Sequence, residues 1–214
     1  MNTPANIDQT HHYAEFLKTI TPGKNVVDLA CGDGWAGKIA LEHGARSVTF
    51  ADARVEEFKV PANHTNYQNQ FIDLNFPQSL KSLLAEAEVV LYFGHLYHCN
   101  NHEEILDALV NSDCTDFFID TKVRFGSPHM DSDVPSIWQQ IPELVSDCRN
   151  GWHNTDLHVT PGAPNLSWML DYFDRNKLEV RLQKSIDHVL TWDQQDPFHH
   201  RIYIFHVTKS NINN

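Results

Sequence analysis

VVDLACGDGWAG, residues 26–37, changes character halfway along its length. Val26, Val27 and Leu29 are apolar residues of a buried strand, expected over Lys24–Ala30, and the glycines that follow end it. Glycine accepts positive φ and lets a backbone approach a ligand closely. An apolar helix is expected to begin at once, over Trp35–His43, and its first turn carries N–H groups without intrahelical partners. Strand, glycine turn and helix N-terminus in this order form a ligand-binding turn. Asp28 and Asp33 place carboxylates on either side of it.

The same alternation extends outward. Ile7–Ile20 is expected as an opening helix, with Tyr13, Phe16, Leu17 and Ile20 at helical spacing. Strands are expected at Ser47–Asp52, Asn66–Asp73, Val89–Gly94 and Cys114–Thr121, with helices at Pro77–Ala87 and Asn101–Asn111 between them. Regular strand–helix alternation implies a parallel sheet covered by helices on both faces. The rhythm then stops. Residues 123–163 are rich in Pro, Asp, Ser and His, with a modest helical signal over Val134–Val145. A stretch of this length is expected to be a substrate-binding insertion or lid within one domain spanning residues 1–214. A helix over Asn165–Arg175 follows Pro164. Leu178–Trp192 and Arg201–Thr208 should then form an antiparallel hairpin turning near Asp196-Pro197.

Two kinds of glycine turn fit this stretch. Gly32, Gly34 and Gly37 spell G-x-G-x-x-G, and Asp52 lies where a dinucleotide fold places its ribose-binding acid. That reading gives an NAD-dependent oxidoreductase, for which no Y-x-x-x-K string is present. Starting instead at Asp28, DLACGDG resembles motif I of the class I S-adenosylmethionine-dependent methyltransferases. The family's usual string is D/E-x-G-x-G-x-G, and Ala30 stands where its first glycine would be, one small residue for another. A ligand with an ammonium and a sulfonium is attracted by Asp28 and Asp33, whereas a pyrophosphate is repelled. This electrostatic difference favours the methyltransferase reading.

The resemblance implies S-adenosylmethionine as cofactor, with Asp28, Ala30, Gly32 and Gly34 forming the cofactor turn and Asp52 accepting the ribose hydroxyls. It also implies that Asp73, in QFIDLN, contacts the adenine amino group, with Leu74 beside it. EVVLYFGHLYHCNNHEEIL, residues 88–106, resembles the fourth strand and motif IV of the branch bearing G-x-LYH (Gly94, Leu96, Tyr97, His98). That branch includes methyltransferases acting on quinones and other small metabolites, and carboxymethyl-transferring relatives that modify wobble uridine in tRNA. Phe93 and Gly94, at the strand's end, join the implied cofactor contacts. The implied architecture is a Rossmann-like α/β class I methyltransferase fold, a seven-stranded, mostly parallel sheet with an antiparallel last strand and helices on both faces.

Methyl transfer to a hydroxyl or protonated amine is helped by a general base, and an imidazole titrates in the useful range. His98 is the first candidate and His95 the second, both expected at the carboxyl end of the fourth strand. His95, His98 and His102 have a spacing that would suit a metal only on a shared helix face. Gly94 ends the strand before a helix begins, so no metal is expected.

Composition narrows the partners. The chain has 214 residues and 24.6 kDa, with 16 Lys+Arg against 28 Asp+Glu and a net charge of −12. That balance opposes non-specific binding to phosphate backbones or anionic membranes. Removing the charges of Asp28, Asp33, Asp52 and Asp73, the four acids placed around the cofactor, still leaves −8. A small-molecule acceptor is therefore expected rather than nucleic acid. A tRNA-directed enzyme is the alternative, with Lys122, Arg124, Arg149, Arg175 and Arg181 as its candidate basic residues. A non-catalytic subunit of the same fold is a further alternative, which the intact acidic positions argue against. Cys31, Cys99, Cys114 and Cys148 show no pairwise motif and read as reduced thiols of a cytoplasmic protein. No signal-peptide pattern and no apolar run of about 18 residues is present, so no membrane association is expected.

Overall fold

The computed structural model describes residues 5–53, 65–99, 101–124, 164–186 and 200–209. Strand β1 (Asn25–Leu29) lies in the interior of the sheet and pairs in parallel with β2 (Ser47–Asp52) on one side and β4 (Val89–Phe93) on the other. Strand β3 (Tyr67–Phe71) continues in parallel beyond β2, and β5 (Asp116–Arg124) beyond β4. At the far edge β7 (His200–Lys209) alone reverses direction, running antiparallel both to β5 and to β6 (Leu178–Ile186), the strand beyond it. The resulting order is β3-β2-β1-β4-β5-β7-β6. From β1 the chain builds outward to β3, then returns to β4 and builds the other way. The carboxyl ends of β1 and β4 therefore flank a crevice, the place where open α/β sheets bind ligands.

Two helical layers cover the sheet. On one face α1 (Ala5–Ile20) and α2 (Trp35–Glu42) pack Tyr13, Leu17, Ala36 and Ala40 against Val26, Val48, Phe50, Leu91 and Phe118. On the other, α3 (Leu80–Leu83), α4 (His102–Val110) and α5 (Leu166–Arg175) contribute Leu80, Ile105, Leu109, Met169 and Phe173 to a core with Val27, Leu29, Val90, Phe117 and Ile119. A strand covered on both faces needs apolar residues at nearly every position rather than alternating ones. This is why NVVDL and VVLYF are continuous runs, and why Asp28 within the first needs a specific partner.

The expected elements are present with shifted limits. Pro77–Ala87 is not one helix but a 3-10 turn over Pro77–Ser79 followed by the single turn of α3. Ser79 and Ser82 direct their hydroxyls to the carbonyls of Phe76 and Ser79, a local alternative to extending the helix. The chain then turns at Leu84–Ala87, and Glu88 N–H bonds to Asn25 O as β4 begins. Strand β5 starts at Asp116 rather than Cys114 and runs on through Val123 and Arg124, the first two residues expected to be insertion. Residues 125–163, with the helical signal over Val134–Val145, lie outside the described residues, as do 187–199 with the expected hairpin turn. No described helix is long and apolar enough to cross a membrane.

Gly37 shows how tightly α2 sits on β2. A Cβ at this position would lie 2.3 Å from Phe50 Cε1 and 2.9 Å from Val48 Cγ1. In an open helix Gly→Ala is stabilising by about 1 kcal/mol. Here overpacking should reverse the sign. Gly37→Ala is expected to lower stability by about 1–3 kcal/mol, seen as a lower urea midpoint in chemical denaturation. An unchanged midpoint would mean that Phe50 yields at no cost.

Candidate functional site

The turn between β1 and α2 is held by two carboxylates from neighbouring strands. Asp52, at the end of β2 and 1% exposed, accepts a hydrogen bond through Oδ2 from Gly32 N–H at 2.8 Å. Asp28, within β1 and 3% exposed, accepts one through Oδ2 from Gly37 N–H, also at 2.8 Å. Gly37 lies in the first turn of α2, whose N-cap, Gly34, has no side-chain acceptor to offer. Asp28 therefore satisfies one of the free helix N–H groups from below. The exposed Asp33 closes a local turn, its Oδ1 accepting from Trp35 N–H at 3.3 Å.

Backbone conformation explains the small residues. Gly32 and Gly34 have φ of 56° and 72°, in the left-handed region. Ala30 shares it, with φ 54°. In size, Ala30 is a mild departure from the family's glycine. In conformation it is not, because a Cβ in this region is strained by roughly 1–2 kcal/mol.

A small cleft, partly open to solvent, lies over these carboxyl ends and is lined by Ala30, Asp52, Ala53, Ile72, Leu74 and His95. Four of the residues singled out from sequence thus meet in it: Ala30, Asp52, Leu74 and His95. The others lie around it. Asp73 accepts from Asn75 N–H at 2.9 Å and from Asn75 Nδ2 at 2.8 Å, closing the turn that presents Leu74. Phe93 stands on the α1/α2 face, its ring 5.2 Å from Tyr13 and 5.9 Å from Trp35. Gly94, with φ 69°, turns the chain out of β4 and donates its N–H to Asp120 O.

The histidines separate. His95 is 5% exposed and its Nδ1 lies 3.0 Å from Tyr92 Oη and 3.4 Å from Cys99 Sγ. His98, half-buried on the 3-10 turn Leu96–His98, sits against Tyr97 with ring centroids 4.1 Å apart. His102 belongs to α4 and approaches Trp168 instead.

Tyr13 and Asp120 were not anticipated from sequence. Tyr13 Oη donates to Asp120 Oδ2 across 107 residues, both groups buried beside Phe93. Burial, followed by the charge of Asp120, pushes the Tyr13 phenol far above its usual value. An acid inside a strand such as DFFIDTKVR signals a buried partner, but its identity depends on where α1 crosses the sheet.

No family model and no curated protein matches the chain by sequence. Solved structures do match. The N-terminal domain of EvdMO1, crystallised with SAH and D-fucose, superposes over 98% of this chain and 85% of its own at TM-score 0.64 and 12% identity. Magnesium protoporphyrin IX methyltransferase (ChlM) from Synechocystis PCC 6803, with bound SAH, covers 94% of this chain and 83% of its own at TM-score 0.60 and 14% identity. Burkholderia thailandensis 1,6-didemethyltoxoflavin-N1-methyltransferase, with its acceptor and S-adenosylhomocysteine, covers 94% and 78% at TM-score 0.57 and 11% identity. The fold is that of the class I methyltransferases.

In this methyltransferase fold the buried acid of β1 has a consequence for stability. Burial pushes the Asp28 carboxyl up to about 8, opposed by the Gly37 N–H bond and aided by the charges of Asp33 and Asp52. The folded state holds this proton more tightly than the unfolded chain, where Asp titrates near ~3.9. The stabilising contribution is therefore complete below about pH 4 and is lost as the pH rises towards about 8. Asp28→Asn keeps an oxygen acceptor for Gly37 N–H and removes the titration. Its Tm should vary less between about pH 5 and pH 8 than that of the wild type, and the two curves should diverge most at the alkaline end. Parallel Tm curves would contradict the raised value. Ala30→Gly should relieve the left-handed strain and raise the denaturation midpoint by about 1 kcal/mol equivalent.

Proposed function

We propose that the protein binds S-adenosylmethionine over the carboxyl ends of β1, β2 and β4 and transfers its methyl group to an oxygen or nitrogen of a small-molecule acceptor. The observation that carries this reading is the position of Asp52, a buried carboxylate that ties down the glycine turn and also walls the cleft. The donor set fits the cofactor. The described lining consists of one carboxylate, one imidazole and apolar side chains, with no lysine or arginine to repel a cation. The structural neighbours crystallised with SAH support the same assignment.

In this reading Asp52 holds the ribose hydroxyls, and Ala30, Gly32 and Gly34 let the backbone approach the amino-acid end. Ile72 and Leu74 flank the adenine, with Asp73 toward its amino group. Phe93 and Gly94 border the methyl, and Asp28 holds the start of α2 beneath the turn. The bound cofactor supplies an electrophilic methyl on a sulfonium. The chain's own task is to align the acceptor in line with that methyl and to exclude water. Where the acceptor must lose a proton, we assign the base to His98, on the turn after β4 and more exposed than His95. The net charge of −12 favours a small metabolite over tRNA. The didemethyltoxoflavin enzyme offers a precedent for such an acceptor within the fold. Cys31, Cys99 and Cys114 are buried thiols rather than disulfides, which supports a reducing, cytoplasmic setting.

Calorimetry tests the cofactor. Wild-type protein should bind S-adenosylhomocysteine. Asp52→Ala should bind it at least about tenfold more weakly, since it loses a charge-assisted contact and unties Gly32. Asp52→Asn, which can still accept from Gly32 N–H, isolates the contribution of the charge. Binding of NAD without binding of S-adenosylhomocysteine would overturn the reading. Labelled methyl uptake from S-adenosylmethionine, compared between metabolite and tRNA fractions, tests the acceptor, and label confined to tRNA would refute the small-molecule assignment. With an acceptor in hand, His98→Ala should lower kcat by about 10²-fold with little change in cofactor affinity.

A further inference from the structure

The sheet ends in two edge strands, and they are not alike. Strand β6 carries Glu179, Arg181 and Lys184, and its pairing with β7 shifts register between Leu182 and Lys184. Charged side chains and irregularities of this kind keep an edge strand from joining another sheet. Strand β3, at the other end of the sheet, has neither. Its five residues, Tyr67-Gln68-Asn69-Gln70-Phe71, include no charge and no proline, and they pair with β2 in unbroken register. Among the described residues nothing pairs with its outer side. In a chain with a net charge of −12, an uncharged open edge is where a second copy can approach without like charges meeting.

The order of residues adds a second observation. YQNQF has the same pattern in both directions: aromatic ring, amide, Asn69, amide, aromatic ring. Two antiparallel copies centred on Asn69 place Asn69 opposite Asn69, Gln68 opposite Gln70 and Tyr67 opposite Phe71. Amide side chains both donate and accept, so each suits its counterpart. The Tyr67 ring packs against Phe50 on the α1/α2 face, with centroids 6.1 Å apart. The two-residue period of a strand puts Asn69 and Phe71 on that face as well. Opposite residues of an antiparallel pair share a face, so Phe71, 59% exposed in the single chain, gains Tyr67 of the other copy as a neighbour.

We propose that β3 is a self-association surface, at which two copies of this chain pair their edge strands antiparallel about a two-fold axis through Asn69. The contact is isologous and closes on itself, so it makes a dimer and not a filament. The axis stands perpendicular to the sheet, and the helical layers of one copy continue on the same sides in the other. The carboxyl ends of the two sheets point in opposite directions, so the two clefts open at opposite edges of the joint sheet. Five residues a side make an interface of the small class, under roughly 1,200 Å² in total, and the pairing is therefore weak and governed by concentration. The surface does not depend on the cofactor assigned above.

Sedimentation velocity over a concentration series tests the pairing. Wild type should pass from monomer below about 1 μM to dimer above about 100 μM. The Asn69 side chain is exposed, so changing it leaves the fold intact. Asn69→Lys sets two like charges face to face, with Cβ atoms about 5 Å apart, and should stay monomeric throughout. Asn69→Asp should do the same. An equimolar mixture of the two variants puts opposite charges across the axis and should recover the dimer, a result that misfolding of either variant could not imitate. A wild type monomeric up to about 300 μM would overturn the proposal. So would an Asn69→Lys protein that dimerises as wild type does, or a mixture that remains monomeric.

Discussion

The fold of this protein turns on a backbone reversal between β1 and α2 that two buried carboxylates hold in place. Asp52 reaches across from β2 to Gly32 N–H, and Asp28 reaches up from β1 to Gly37 N–H. Each satisfies a donor that no regular element could satisfy, and each loses hydration in doing so. The loss is visible at Asp28, whose carboxyl is pushed up to about 8. A carboxylate beneath a helix N-terminus is expensive to bury in its charged form. The same two residues therefore serve the architecture and the proposed chemistry. Substitutions at either one must be interpreted with both roles in view.

Around this turn the carboxyl edge of the sheet is organised by polar groups buried among aromatic rings. On the α1/α2 face Tyr13 donates to Asp120, with Phe93 and Trp35 packed beside the phenol. On the opposite face Tyr92, His95 and Cys99 form a second set next to the cleft. Neither is a catalytic constellation in itself. Buried polar networks fix orientation because the alternative arrangements leave a donor or acceptor unsatisfied. Here they hold His95 in the wall of the cleft and fix how α1 lies across β5.

Much of the fold was legible in the sequence because a doubly covered parallel strand has a strong signature. NVVDL and VVLYF could be little else. Boundaries were less legible. Pro77–Ala87 has helical composition, but serine hydroxyls bonded to nearby carbonyls and the need to enter β4 cut it to a 3-10 turn and one helical turn. Within the site, Ala30, Asp52, Leu74 and His95 were named from sequence and line the same cleft. Asp73 was named as well, and its carboxylate closes an Asn75 turn beside that cleft, a local bond that residue type alone does not distinguish from a ligand contact.

The sequence by itself determined the order of strands and helices, the glycine turn and the acidic bias around it, since these depend on residue type at short range. It could not determine that Ala30 adopts a left-handed conformation, that Asp28 caps α2, or that Tyr13 meets Asp120. Nor could it separate His95 from His98, three positions apart in one loop but different in burial and partners. Those assignments depend on which groups from distant segments share a volume from which water is excluded, and only the folded chain fixes that.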